Sequence, residues 1–358
     1  MGSPGSRWAV GGARGTQGAN VEGPDGTLTA FQNVYNGTSG DLNIYYSPIG
    51  GSNELSTSNS TVYTFSVFAK AEPGNSYING IRLRTHGPER SVSYNVINGT
   101  VGATNEGSSS ISSKLIVEYP NGWYRCIMTF TSGTDGNQGF QIYIENEGGN
   151  AAALNNSSAN GEAMYFWGAQ VEAGSYATSF IPTSDGQESI TRGADITMIN
   201  GENFTDFYNP VESTIVVNYT HPNGVTSSNL GGAARLYRFR AVGGNDTRID
   251  YVSNSGNEPY IAKDAVVVAN INNGQSTVFD GGVNRTAVRV KENSFASSFN
   301  GSSAVEDTSG AWNPTNAITE VALGSESNSG GNPLNGHIQR FMYYSTGLPN
   351  SQLKTLTS

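Results

Sequence analysis

The chain has 358 residues, with 46 Gly, 13 Pro, 13% charged and 10% aromatic side chains. That length holds two ordinary domains, each with its own core, and short apolar stretches set among Ser, Thr, Asn and Gly runs read as a turn-rich all-β protein. A formal net charge of −10 excludes a general nucleic-acid binder, which needs a basic footprint, and a lone cysteine excludes an intrachain disulfide.

The 18 Tyr, 14 Phe and 4 Trp are too many rings for a disordered chain. Cys126, on a strand with Met128, reads as an inert core thiol. With no apolar run of membrane-spanning length and no signal peptide, the chain is expected to be soluble and not conventionally secreted. Met1 to Ser6 reads as a flexible leader. The Asn-x-Ser/Thr sequons, among them Asn36, Asn98, Asn203 and Asn284, follow from composition and are not read as glycosylation.

In chain order, Trp8 begins a weak strand and Gly23-Pro24-Asp25-Gly26-Thr27 is a turn. Leu28, Ala30 and Asn33-Val34 then lead into the next strand, and 41–46 forms a short one. From Thr61 to Ala71 the pattern alternates, with Tyr63, Phe65, Val67 and Ala69 facing one way and Thr64, Ser66, Phe68 and Lys70 the other. Over 80–86, Ile81, Leu83 and Thr85 oppose Arg82, Arg84 and His86. Pro120-Asn121-Gly122 turns the chain into a strand from Trp123 to Phe130, and Phe140 to Ile144 is another. Tyr165 to Gly174 is expected to close the first domain, in a sheet covered on both faces. Strict alternation puts Tyr165, Trp167, Ala169 and Val171 on one side and Phe166, Gly168 and Gln170 on the other. A run through Tyr176, Phe180 and Ile181 ends at Pro182, which cannot donate to a ladder.

The domains are therefore drawn as 1–183 and 184–358, joined by a polar linker over Ser184–Glu188. A clear strand spans Ser213 to Tyr219. From Arg235 to Arg240, Arg235, Tyr237 and Phe239 alternate with Leu236, Arg238 and Arg240. Further strands fall at 247–252, 259–262, 265–271, 285–290, 294–299 and 318–323. Pro349, as a first-turn proline, opens a short C-terminal helix whose Leu353 and Leu356 fold back as a clasp. The expected fold is all-β: two tandem antiparallel β-sandwiches and a short C-terminal helix.

Several of these stretches resemble one family. Tyr165-Phe166-Trp167-Gly168-Ala169-Gln170-Val171-Glu172-Ala173-Gly174, followed by Ala177-Thr178-Ser179-Phe180-Ile181-Pro182-Thr183, resembles a signature of bacteriophage virion proteins. Pro24-Asp25-Gly26-Thr27, Tyr63 to Lys70 and Asn121-Gly122-Trp123-Tyr124-Arg125 resemble the same family in the order it uses them, so the likeness covers nearly all of the first half. It implies a carbohydrate-binding-module-like jelly roll of the kind found in tail fibres, spikes and capsid appendages. The second half resembles the concanavalin A-like (laminin-G-like) sandwich that follows this jelly roll in phage proteins. That likeness is carried by Asn284 to Val290, Phe299-Asn300-Gly301, Leu323-Gly324, Leu334 to Tyr344 and Leu348 to Leu353. It places His337 in a structural strand, in a packing role. Some relatives hold structural calcium near the chain start. No motif supports that here, no cofactor is expected, and Glu22 and Glu172 read as solvated or capping groups.

Enzyme chemistry finds little footing in the residues. A retaining glycosidase needs two carboxylates about 5 Å apart. The closest alternating pair, Glu145 and Glu147, precedes Gly148-Gly149 in an expected loop rim. No Gly-x-Ser-x-Gly elbow occurs, and His86, His221 and His337 lack zinc-ligand spacing, so neither a catalytic nor a metal site is assigned. Binding has better candidates, because sugars are held by aromatic faces together with planar amide or guanidinium donors. In the first half these are Arg82, Arg84 and His86, with Tyr45, Tyr77, Tyr94 and Tyr143 as neighbours. In the second they are Arg238, Arg240, Arg248, Tyr251 and Tyr260. The structural alternative is that such residues only pack and solvate, or form a subunit interface.

The resemblance and the missing chemistry together imply a non-enzymatic virion structural protein, a capsid decoration, head fibre or tail fibre. It would be made in the host cytoplasm and sit on the particle surface. Its expected partners are other virion proteins and host-surface polysaccharide, with assembly into a homo-oligomer such as a trimer and no contact with nucleic acid or membrane interior. The competing readings are a tailspike-type polysaccharide depolymerase module and a secreted bacterial lectin.

Overall fold

A computed structural model describes residues 8–11, 15–38, 42–46, 54–86, 89–107, 110–133, 137–146, 157–183, 190, 195–222, 225, 234–241, 247–253, 258–279, 281–312, 318–326 and 331–358. The leader Met1–Ser6, the linker Ser184–Glu188, Glu147 and the Tyr45 side chain lie outside what is described. Contacts divide the chain into two compact units, Met1–Arg192 and Gly193–Ser358. The architecture is that of tandem antiparallel β-sandwiches with a short C-terminal helix.

The first unit contains β1 (Trp8–Gly11), β2 (Gly15–Gln17), β3 (Phe31–Tyr35), β4 (Leu42–Tyr46), β5 (Glu54–Ser56), β6 (Val62–Ala71) and β7 (Ile78–His86). There follow β8 (Arg90–Asn95), β9 (Thr100–Asn105), β10 (Ile111–Tyr119), β11 (Trp123–Thr131), β12 (Asn137–Asn146) and β13 (Ala163–Ala173). Sheet 1 runs β1-β4-β12-β7-β8-β9, with β5 also on β12, and sheet 2 runs β10-β11-β6-β13-β3-β2. The predicted alternation of β6 holds: Phe65, Val67 and Ala69 meet Ile81, Leu83, Ile142 and Ile144 between the sheets, while Phe68 faces out. Cys126 is buried in that core, and burial pushes its thiol well above the usual range.

The closing strand departs from strict alternation at one residue. Its pairing with β6 slips between Trp167 and Gln170, where Gly168 takes φ +58°. A β-bulge of this kind inserts one residue and reverses which face the following side chains meet. Met164 and Phe166 are therefore in the core before the bulge, and Ala169 and Val171 pack there after it, while Tyr165 and Trp167 lie outside with Phe68. The expected grouping of Ala169 and Val171 with Trp167 is thus corrected. Any side chain at Gly168 would adopt an unfavourable left-handed backbone, and its Cβ would stand 3.1 Å from the Phe180 ring. Gly168→Ala is expected to cost roughly 1–2 kcal/mol from backbone geometry alone. Urea unfolding checks this, and an unchanged midpoint would mean that the bulge does not depend on glycine.

The second correction lies just downstream. The strand ends at Ala173, and 174–182 forms no strand but a strap lying back across the outer face of sheet 2. Glu172 accepts from Thr178 N at 2.9 Å and Thr178 Oγ1 at 2.7 Å, and Gln170 Oε1 accepts from Ile181 N at 2.8 Å. Arg125 Nη1 donates to the Thr178 carbonyl at 2.6 Å, and the Phe180 ring sits 4.6 Å from that of Trp167. The bulge makes this possible by turning the polar ends of Gln170 and Glu172 outward to receive the strap.

The second unit contains β14 (Thr197–Asn200), α1 (Glu202–Thr205), β15 (Glu212–Thr220), β16 (Arg235–Arg240), β17 (Arg248–Val252), β18 (Glu258–Lys263) and β19 (Val266–Asn270). Then come β20 (Val283–Lys291), β21 (Phe295–Phe299), β22 (Val305–Asp307), β23 (Glu320–Leu323), β24 (His337–Tyr344) and α2 (Asn350–Thr357). Sheet 3 runs β14-β23-β16-β17-β18-β19 and sheet 4 runs β22-β21-β20-β15-β24. Ile215 and Val217 fill the core, whereas Val216 turns outward with Ala287 and Ala296 onto Leu353 of α2, as the clasp predicts. Pro349 is the residue capping this helix and not a member of its first turn. In β16 a register shift between Arg235 and Tyr237 puts both Leu236 and Tyr237 in the core, which corrects the simple alternation.

His337 is exposed, contrary to the packing role expected of it, and the buried histidine is His221. Its ring lies 5.6 Å from that of Tyr219 and 5.1 Å from that of Phe279, with Nδ1 3.3 Å from the Asn335 carbonyl oxygen. Burial lowers its pKa below the ordinary 6.5. The unfolded chain then takes up a proton first, so stability is fully present above about pH 6.5 and falls as the pH drops toward the folded-state value. His221→Phe is expected to flatten the acid limb of the stability curve, measured by urea midpoints across that range. A slope identical to wild type would assign the dependence to another group.

Candidate functional site

Each unit closes one outer face with its own following chain, the strap over sheet 2 and α2 over sheet 4. The outer faces of sheets 1 and 3 are polar, and they hold most of the predicted binding residues.

On sheet 1, β7 alternates so that Ile81 and Leu83 enter the core and Arg82 and Arg84 face out. Across the ladder, Arg82 pairs with Tyr143 and Arg84 with Gln141. Both guanidiniums lie over the Tyr143 ring, at 4.6 Å for Arg82 and 5.8 Å for Arg84, a cation–π arrangement. Arg84 Nη1 donates to Gln141 Oε1 at 2.7 Å and to Tyr143 Oη at 3.1 Å, and Arg84 Nη2 meets Glu89 at 2.8 Å. That hydrogen bond from Arg84 holds the Glu89 carboxyl below the usual range. Arg82 Nε stands 3.0 Å from Glu145 Oε1, with Arg82 17% exposed and Glu145 1%. Glu145 is therefore a buried strand residue and not the loop-rim acid expected. His86 is exposed at the end of β7, beyond this cluster.

On sheet 3 the centre is Asp250, 1% exposed, faced by Arg248 at 3.1 Å, Arg238 at 3.4 Å and Arg235 at 3.6 Å. Burial pushes its carboxyl upward, and the guanidiniums of Arg238, Arg235 and Arg248 pull it back. Arg238 also meets Glu326, Arg240 meets Glu320, and Arg248 lies over the Tyr260 ring at 4.7 Å. The structure thus brings together Arg82, Arg84 and Tyr143 on one face and Arg238, Arg240, Arg248 and Tyr260 on the other.

Tyr94 and Tyr251 are corrected. Each is 0% exposed in its core and presents no surface to a ligand. Tyr94 instead donates its hydroxyl to the Ile127 carbonyl at 2.6 Å. In both cases the neighbouring residues carry the outward chemistry: Ser93 and Asn95 flank Tyr94, and Asp250 precedes Tyr251. The period-two pattern of Val92, Tyr94 and Val96 held that signal, as did the placing of Ile249 and Tyr251 on one face. Glu145 and Asp250 were missed as partners because cross-strand register cannot be read along a single strand.

Among the described residues, no group of three or more His, Cys, Asp or Glu is placed to hold a metal ion, and no helix is long and apolar enough to cross a membrane. No family model and no curated protein matches the chain. Among solved structures, the mouse laminin alpha1 chain, domains LG4-5, is similar at 10% identity over 87% of this chain and 90% of that one, with a TM-score of 0.28. A score that low carries no weight, and the sandwich architecture rests on the strand pairing described above.

Proposed function

We propose that this chain is a non-enzymatic component of a bacteriophage virion, a capsid decoration, head fibre or tail fibre, that displays two β-sandwiches for attachment and contacts host-surface polysaccharide. The observation that carries the reading is the pair of polar outer sheet faces on which guanidiniums stack over tyrosines while the nearby carboxylates are held in ion pairs. Aromatic rings and planar donors suit sugar C–H faces and hydroxyls, and an acid tied to arginine is poorly placed to shuttle protons. The likeness of 165–183 to a virion signature supports the particle, and repeated copies would convert weak single contacts into avidity. Gold-labelled antibody against the chain, applied to purified particles of the host virus, is expected to decorate the head or tail in electron micrographs. Particles that carry no label and lack the chain by gel would contradict the virion assignment.

A further inference from the structure

On the outer face of sheet 2, Tyr165 of β13 lies between Gln32 on β3 and Lys70 on β6, all three half-buried. The strap is tied at Arg125, Gln170 and Glu172 and rests Phe180 on Trp167, so it crosses the other end of this face. Glu72, just after β6, donates its backbone N–H to the Ala163 carbonyl at 3.1 Å. That places it beside the residue two before Tyr165, on the same face of the sheet. Tyr165 Oη donates to Glu72 Oε1 at 2.9 Å, and Gln32 Nε2 donates to the same oxygen at 3.1 Å. To reach Glu72 the tyrosine leans back along its strand over Ala163, which is 0% exposed, and one side of the ring is turned away from the sheet. Gln32 is itself wedged in place: a Cβ on Gly18 would stand 2.0 Å from its Oε1. Burial and the bond to Glu72 push the Tyr165 phenol up to about 12, so it stays a donor at neutral pH.

Three capacities on this row are unused among the described residues. The Tyr165 ring has no aromatic or cationic partner, the Lys70 ammonium has no hydrogen bond or ion pair, and Glu72 Oε2 accepts from no donor. Lys70 and Glu72 carry opposite charges two residues apart on one face, yet they do not pair, because Tyr165 and Gln32 hold the carboxylate. An aromatic plate is thus fixed between a free donor and a free acceptor.

We infer that Tyr165 is the platform of a surface subsite for one uncharged sugar ring, whose C–H side stacks on the tyrosine while one hydroxyl accepts from Lys70 Nζ and another donates to Glu72 Oε2. The inference rests on the glycan-binding reading above and adds a site on the first unit, on the face opposite Arg82 and Arg84. The free capacities decide the class. Glu72 asks for a hydrogen-bond donor, which a carboxylate or sulfate group lacks, and its charge repels either. Lys70 asks for an acceptor, which an apolar or cationic ligand lacks. A sugar hydroxyl is both donor and acceptor, and the sugar's C–H side supplies the apolar surface that stacking on the ring requires. Each of the two hydrogen bonds has a charged member, which makes it stronger than a neutral one.

Titration calorimetry on the full chain tests this with neutral gluco-, galacto- and manno-oligosaccharides and their uronic-acid counterparts as probes. At least one neutral series is expected to bind, and more tightly than its uronate form. Tyr165→Ala removes the platform and should weaken that binding about tenfold. Tyr165→Phe keeps the ring but frees it from Glu72, so its loss should be smaller. Lys70→Gln should weaken binding several-fold, and it decides the matter if Tyr165→Ala does not fold. Wild-type affinity in both Lys70→Gln and a folded Tyr165→Ala, or a wild-type preference for uronates, would overturn the subsite. If those variants bind normally while Arg84→Ala or Arg248→Ala does not, the glycan reading stands and this site is wrong. If the wild type binds no oligosaccharide, the glycan reading falls and the subsite with it.

Discussion

Asp250→Ala is expected to be the most damaging single substitution in the second unit. The carboxylate lies beneath three guanidiniums, those of Arg235, Arg238 and Arg248, each itself largely buried. Removing it leaves like charges facing one another without the ion that holds them on the sheet. Breaking a buried pair by deleting one partner costs roughly 3–5 kcal/mol, and here one deletion breaks three pairs. Hydrogen exchange on the whole chain should show protection lost in β16, β17 and β18 first. Asp250→Asn, which keeps the shape and loses the charge, should show most of the same loss. Protection unchanged in both variants would mean that the arginines are held by stem packing and their charges are met by solvent.

Arg125→Ala is the second large effect, and it acts through the strap. Arg125 is buried, with Nη1 on the Thr178 carbonyl at 2.6 Å, Nη2 on Ser66 Oγ at 3.0 Å and its guanidinium 5.0 Å from the Phe68 ring. Hydrogen bonds to a charged group contribute about 1.5–3 kcal/mol each, and truncation also strips the stacking over Phe68. A loss of roughly 3 kcal/mol is expected in urea unfolding. The specific sign is local: with the strap loosened, Trp167 loses Phe180 from its face, tryptophan emission shifts to the red, and protease cuts near Ser179 before the unit unfolds. Arg125→Lys should recover only part of the effect, because a single ammonium cannot reach both acceptors in a fixed fork. A red shift no larger than that of an exposed-surface control would show that the strap is held by other contacts.

Much of this was legible in the residues, for identifiable reasons. Strands with one apolar face, such as β6 and β7, declare themselves by alternation, and the outward set Arg82 and Arg84 followed directly from the inward set Ile81 and Leu83. The helix clasp was equally plain, because Leu353 must bury itself against something and Val216 faces the other way from Ile215 and Val217. Three features escaped. Bulges at Gly168 and in β16 shift parity by one residue, and a glycine or an extra apolar residue does not announce that shift in a linear pattern. Tyr94 and Tyr251 were placed on the surface because tyrosine suits either environment, and only the partner sheet decides. Strands β8, β9 and β10 went unmarked. β9 is a run of small residues largely exposed on both faces and offers little contrast for alternation to use, whereas β8 carries a period-two signal in Val92 and Tyr94 that was passed over.

In the proposed function, the arginine-bearing outer faces hold polysaccharide without cutting it. One measurement addresses it most directly: surface polysaccharide from the host bacterium, incubated with the purified full chain, with bound protein and newly formed reducing ends followed in the same sample. Saturable binding is expected, with reducing ends flat over time at every protein concentration. A steady rise in reducing ends that scales with protein and disappears in Glu145→Gln would contradict it and identify a depolymerase.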